Sequence, residues 1–130
     1  MRLAPTVTPD TAFFWDGLKE HRLRIQRCAE CSRLRHPPRP MCPHCNSLAW
    51  HAVESAGAGS VYSYVLPRHP DFGFEQPHIV ALVDLDEGTR LVTNLVDIDP
   101  ADVRIGLRVQ VRFEEFDGGL TLPLFVPESL

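Results

Sequence analysis

Two C-x-x-C pairs, Cys28-Ala29-Glu30-Cys31 and Cys42-Pro43-His44-Cys45, stand ten residues apart and use all four cysteines of the chain. No other feature limits the fold so strongly. Each pair places two thiolates on the inside of one tight turn. The ten-residue connection lets the second turn fold across the first, so four sulfurs can surround one Zn²⁺ tetrahedrally. One C-x-x-C alone would fit a redox pair equally well; two with no cysteine left over point to a metal. Two disulfides would use the same residues, but Met1-Arg2-Leu3 runs into a proline-dotted polar stretch without the apolar centre of a signal peptide. His36 and His44 are near enough in sequence to compete as ligands, although four thiolates already suffice. Such a site has no open position for water or substrate, so its expected role is structural. In small zinc domains that role contributes on the order of 10–16 kcal/mol of apparent binding energy to folding.

A chain of 130 residues fits one ordinary domain, or a small domain joined to a metal-stapled module. At this size roughly two thirds of the unfolded surface is buried, enough for one real core. The apolar runs are a few residues long, far short of the ~20 needed to span a bilayer. The expectation is a cytoplasmic protein with no membrane association. Charge is unevenly divided. Residues 1–60 carry eight Lys+Arg against five Asp+Glu, a net of +3; residues 61–130 carry five against twelve, a net of −7. Arg22, Arg24, Arg27, Arg33, Arg35 and Arg39 crowd the cysteine region. Such a run is either a solvated face or a contact for an anion or a partner.

Local signals place the elements. Thr8-Pro9-Asp10 reads as a helix start, with a capping hydroxyl, proline at the first position and an acid against the dipole. Phe13, Phe14, Trp15 and Leu18 follow, and the helix should fade near Glu20 and His21. These aromatics serve either as core or as a partner anchor. Leu23, Ile25 and Arg27 suggest a strand entering the first cysteine turn, and Trp50 and Val53 a second strand leaving the last. Between the turns, Pro37, Pro38 and Pro40 forbid a helix and leave an extended connection. From Gly57 onward the pattern is β, with strands expected at 60–66, 78–85, 90–96, 108–114 and 120–126. Asp99-Pro100 opens one helical turn after the third of these. Five strands with a short helix after the third match the small Greek-key barrel called the OB-fold. The fold class is therefore mainly β: an N-terminal helix over 1–22, a Cys₄ zinc ribbon over 23–55 and a five-stranded OB-fold barrel over 56–130.

The loop at 67–77 between the first two barrel strands is long for a hairpin, and such loops often reach a ligand. It offers Phe72 and Phe74 as a contact surface for a partner or an acyl chain. His69, Asp71 and His78 lack an accompanying nucleophile motif, so no catalytic residue is expected.

Several motifs together extend over nearly the whole chain: Phe14-Trp15, Arg27-Cys28-Ala29-Glu30-Cys31, Pro37 through Cys45, Trp50, Gly57 through Ser63, Asp86 through Arg90 and Ile105-Gly106. In this order they resemble the zinc-ribbon/OB-fold acyl-CoA-associated family long labelled domain of unknown function thirty-five. The resemblance implies a rubredoxin-like ribbon with Cys28, Cys31, Cys42 and Cys45 as ligands of one structural Zn²⁺. It also implies a non-catalytic accessory subunit of a thiolase-like enzyme, including the lipid-transfer-protein type, or of a CoA-thioester hydratase. Such a subunit bridges others and helps hold or pass an acyl-CoA. Partner or acyl-CoA contacts are then expected at Phe14, Trp15, Arg35, Arg39, Phe72 and Phe74. His36 departs from the family pattern, which favours an aromatic or aliphatic residue before the prolines. The alternative is a module that binds single-stranded nucleic acid, with Tyr62 and Tyr64 as stacking residues, but a barrel half at −7 repels phosphate.

Overall fold

The structure is a computed structural model that describes residues 5–66 and 79–128. The order is a helix α1 (Ala12–Lys19), three ribbon strands β1 (Arg24–Cys28), β2 (Leu34–Arg35) and β3 (Trp50–Glu54), and five barrel strands. These are β4 (Ala58–Val65), β5 (Ile79–Leu85), β6 (Arg90–Leu95), β7 (Arg108–Phe116) and β8 (Leu120–Pro127), with a 3₁₀ turn at Pro100–Asp102 between β6 and β7.

The helix begins later than Thr8 and Pro9 suggested. Thr8 accepts from the N–H groups of Thr11 (3.0 Å) and Ala12 (2.9 Å), while its own N–H donates to Thr11 Oγ1 (3.0 Å). Thr8 and Thr11 thus close on each other, and the proline starts a lead-in turn rather than the helix. The other end falls where expected. Arg22 N–H donates to Gly17 O (2.9 Å), His21 N–H donates to Leu18 O (2.9 Å), and His21 is left-handed at φ 59. This is a Schellman termination with histidine in the place glycine usually takes. The returning chain lies so close that a Cβ on Gly17 would stand 2.9 Å from Arg24 Cδ.

The ribbon sheet has the order β2-β1-β3, all antiparallel. The proline-rich connection is free of helix, as read, but it bends at His36 and Pro37 and again at Pro40 and Met41 rather than running extended, and it contributes β2, which pairs Leu34 with Arg27 and Arg35 with Gln26. The barrel is closed in the order β4-β5-β6-β8-β7, and β4 and β7 complete the circuit through Gly59 opposite Val109. That is the five-stranded Greek-key arrangement expected from the strand count. Between Val61 and Ser63 the β4–β5 register shifts, making Tyr62 a bulge residue.

One apolar core runs through helix, ribbon and barrel. Phe14 and Leu18 from α1, Leu23 just before β1 and Ile25 within it join Val61, Val83, Leu95, Val109 and Phe125. The modules also meet at a polar latch. Glu87, in the β5–β6 turn, accepts from Ser55 Oγ (2.7 Å) and Ala56 N–H (3.0 Å), and Ser55 Oγ in turn accepts from Gly57 N–H (3.0 Å). Gly57 has φ +77, and a Cβ there would stand 2.3 Å from Val111 Cγ1, so the junction admits no side chain. Arg108 holds Asp86 with two parallel contacts of 2.8 Å beside this turn.

Candidate metal centre

The two cysteine turns are built alike. In the first, Cys28 N–H donates to Arg33 O (2.9 Å) and Ser32 N–H to Cys28 O (3.0 Å), with Ser32 left-handed at φ 65. In the second, Cys42 N–H donates to Ser47 O (2.9 Å) and Asn46 N–H to Cys42 O (2.9 Å), with Asn46 at φ 64. Each C-x-x-C is thus a tight loop closed by its own backbone, and the residue after it turns the chain away. Asparagine tolerates that conformation well. Cys28 Sγ lies 3.5 Å from Cys45 Sγ, Cys31 Sγ lies 3.7 Å from Cys42 Sγ, and all four sulfurs fall within 4.8 Å of one another. Tetrahedral Zn–S bonds of ≈ 2.3 Å require sulfurs about 3.8 Å apart. A disulfide requires about 2.05 Å, and the four cysteines are free. The donor set and spacing fit one zinc ion.

Electrostatics says why a cation belongs there. The N–H groups of Cys45 and His44 hold the Cys42 thiol down to about 6. Cys28 is also lowered, chiefly by the Cys31 N–H. Cys45 is pushed up to about 12: the Ser47 N–H favours its thiolate, but the sulfurs of Cys28, Cys42 and Cys31 together with burial outweigh it. Four sulfurs this close cannot all ionise unless a cation sits among them. Zn²⁺ with four thiolates carries a net charge of −2, and the ribbon's arginine excess offsets it. Arg27 Nε and Arg35 Nη1 are buried with no hydrogen-bond partner among the described residues. The coordination sphere is full, so the ion supplies structure and no reactive position. His44 is exposed. His36 lies against Phe14 with ring centroids 5.1 Å apart, and burial lowers its pKa. Only cysteines form the cluster among the described residues.

The contact residues expected from sequence fall in different places. Arg35 is 7% exposed, and its Nε and Nη2 both donate to Arg39 O (3.1 and 2.9 Å). Two of the three nitrogens of its fork are thus engaged with backbone, and Nη1 has no partner among the described residues. Phe14, also 7% exposed, belongs to the core, with only part of its ring towards a groove. Trp15 is half-buried, packs edge-on against Phe14 at 5.1 Å and lines that groove. Arg39 is exposed. Its backbone is pinned by Gln26, whose amide donates to Arg39 O (2.8 Å) and accepts from Arg39 N–H (2.9 Å). Phe72 and Phe74, like His69, Asp71 and His78, lie outside the described residues. Tyr62, weighed as a stacking residue for bases, is covered by the Arg90 guanidinium 3.6 Å above its ring. Two features escaped the motif reading. Gln26, 1% exposed, anchors the proline connection, which a lone glutamine in a strand does not announce. The outer face of β5 is apolar, a feature visible in the unbroken run Ile79-Val80-Ala81-Leu82-Val83.

Comparison with known proteins agrees with this architecture. Residues 15–51 match the family described as the ChsH2 rubredoxin-like zinc ribbon domain, and residues 52–114 match the ChsH2 C-terminal OB-fold domain. A probable enoyl-CoA hydratase alpha subunit from Thermomonospora curvata is 53% identical over 98% of this chain and 40% of its own length. A 3-oxo-4,17-pregnadiene-20-carboxyl-CoA hydratase alpha subunit from Mycobacterium tuberculosis is 44% identical over 88% of this chain and 37% of its own. The chain thus spans about two fifths of these relatives. A DUF35 domain-containing scaffold protein from Methanocaldococcus jannaschii is 34% identical over 82% of this chain and 81% of its own length. A solved structure described as an Ltp2-ChsH2(DUF35) aldolase superposes with a TM-score of 0.87 at 54% identity, covering 95% of this chain and 98% of that one. With its four-sulfur ribbon fused to a closed five-stranded barrel, the chain belongs to the DUF35 family of zinc-ribbon/OB-fold proteins.

Proposed function

We propose that this chain is a non-catalytic accessory subunit that docks on an enzyme of acyl-CoA metabolism. The partner is a thiolase-like enzyme of the lipid-transfer-protein type, or a CoA-thioester hydratase subunit, in the cytoplasm. The observation that carries this reading is the closed four-sulfur centre: the strongest chemical feature of the chain has no coordination position left for substrate. The relatives support it. One is a scaffold protein, two are hydratase alpha subunits, and one solved structure joins a DUF35 chain to Ltp2 in an aldolase. The candidate contacts to partner or acyl-CoA are Phe14, Trp15, Arg35, Arg39, Phe72 and Phe74, of which Arg39 is exposed and Trp15 half-buried. Among the described residues, no helix is long and apolar enough to cross a membrane.

The test is reconstitution. The zinc-loaded chain is mixed with the thiolase-like enzyme and, separately, the hydratase subunit of the same organism. Complex formation and thioester turnover are then measured with and without it. A stable complex whose turnover depends on this chain, with none from the chain alone, is the expected result. A chain that elutes alone and changes no rate, or that turns over a CoA thioester unaided, overturns the reading.

A further inference from the structure

The barrel circuit is thinnest between β6 and β8. These strands run parallel and pair only at Leu95 opposite Phe125. Two residues before Phe125 stands Pro123, which has no N–H to extend a ladder, and its carbonyl is taken by Thr93 Oγ1 (2.8 Å). A groove of about 310 Å³ opens here, with Val92 and Leu122 on the barrel side and Trp15, Pro37 and Pro38 on the other. Helix, proline connection and barrel thus meet around one concavity. Ligand sites favour such junctions, and this volume lies at the lower end of their range of about 300–1,000 Å³.

The lining decides what fits. Among the described residues that line the groove there is no Asp, Glu, Lys or Arg, so a phosphate or carboxylate would lie there without a counter-charge. Its threonines and asparagine are already engaged. Thr11 Oγ1 accepts from Thr8 N–H (3.0 Å), Thr93 Oγ1 holds Pro123 O, and Asn94 Nδ2 donates to Ile79 O (3.0 Å). His36 is the exception. Its ring packs on Phe14, as Trp15 does edge-on, both at 5.1 Å, and no hydrogen bond reaches its nitrogens from the described residues. Burial lowers its pKa, so at neutral pH the imidazole is uncharged, with one N–H to give and one lone pair to receive. A water beside it would find few further partners on walls of leucine, valine and proline, whereas an ordered water needs two to four. An apolar group that brings its own neutral oxygen satisfies both the imidazole and the walls.

We propose that this groove holds the acyl end of a CoA thioester, with a hydroxyl or keto oxygen of the acyl group hydrogen-bonded to His36. The charged CoA end stays outside, beyond the rim marked by Val92, which is 67% exposed. The thioester as source rests on the accessory-subunit reading. The preference for an uncharged apolar group with one oxygen rests on the lining alone. His36 is then the residue that tells an oxygenated acyl group from a plain one. Trp15 and the two prolines supply walls that lose little freedom when the ligand enters.

The experiment titrates the zinc-loaded chain with β-hydroxyoctanoyl-CoA, octanoyl-CoA and CoA, read by calorimetry and by amide, indole and imidazole NMR. The expected result is binding of both thioesters with shifts at Trp15, His36 and Val92, about a five-fold preference for the hydroxy compound, and no groove shifts with CoA. His36→Phe keeps a ring against Phe14; it should bind octanoyl-CoA within about two-fold of the parent and lose the preference. Val92→Asp, at a side chain already exposed, should weaken both thioesters about ten-fold by setting a carboxylate at an apolar rim, and Gln110→Asp on β7 should weaken neither. Circular dichroism and zinc content verify that each variant is folded. Shifts confined to the ribbon arginines, CoA binding as tightly as the thioesters, or a preference unaltered in His36→Phe overturns the assignment. Displacement of the thioester by the partner enzyme gives the groove to a protein side chain and overturns it too. A chain that binds no thioester yet forms a productive complex overturns the groove while the accessory reading stands. Binding in the groove by a chain that joins neither enzyme keeps the groove and sinks that reading.

Discussion

The ribbon and the barrel of this protein are held together by different physics. The ribbon's strands are five, two and five residues long, and its buried side chains include polar Gln26 and Arg35 beside Leu23, Ile25 and Cys28. A sheet that small is marginal in water. It is fixed by four sulfurs, two backbone-closed turns and a glutamine that ties the proline connection down. The barrel has strands of six to nine residues and an interior of Val61, Val83, Val109 and Phe125 at 2% exposure or less. Apolar burial there requires no cofactor. The two parts nevertheless share one core through Phe14, Leu18, Leu23 and Ile25, so the metal-dependent part is propped against a part that stands by packing.

The largest effect that separates them is metal removal. Chelation, or Cys28→Ser, should abolish the ribbon, because structural zinc supplies on the order of 10–16 kcal/mol. In a ¹⁵N–¹H spectrum the amides of residues 28–50 should collapse while those of β5, β7 and β8 keep their dispersion. Loss of both sets together would break the distinction. Next comes Phe125→Ala in the barrel, fully buried, which should cost about 3–5 kcal/mol in denaturant unfolding and leave zinc stoichiometry unchanged. Gln26→Leu should cost about 1–3 kcal/mol by orphaning Arg39 N–H, and should raise hydrogen exchange at Arg39 specifically. Removing the latch with Glu87→Ala frees Ser55 Oγ and Ala56 N–H at a more exposed place. About 1 kcal/mol is expected, read as a shift in the unfolding midpoint without loss of zinc.

Acid should order the two parts as well. Arg108 hydrogen-bonds Asp86 and, with its charge, holds the carboxyl below the usual carboxylate range. Its contribution is therefore present above the unfolded pKa and disappears only as pH falls through the lowered folded value. Zinc ligands lose the metal as protons compete for thiolates, at higher pH. An acid titration should release zinc before the barrel unfolds, and Arg108→Gln should move only the second transition upward in pH.

Much of this was readable from spacing and periodicity. Two C-x-x-C pairs can close in few ways, and the alternation of Val109, Val111 and Phe113 on β7 leaves little choice of inward face. The barrel class followed from the strand count and the helical turn that Asp99 caps by accepting from Ala101 N–H (2.9 Å). What was not readable depended on long-range partners. Thr8 resembled a cap because its competitor Thr11 was three residues away. Nothing local to Arg35 shows that Arg39 O turns back to receive its Nε and Nη2. Phe14 and Trp15 are neighbours in sequence, and only the packing of α1 on β1 and β8 sends one into the core and the other to the groove.

X-ray absorption at the zinc edge tests the central claim most directly, using reduced, tag-free protein. A closed structural centre requires four sulfur neighbours near 2.3 Å, with one zinc per chain and a spectrum unaffected by added CoA thioester. A nitrogen or oxygen neighbour in the first shell, or a change on adding thioester, would contradict it.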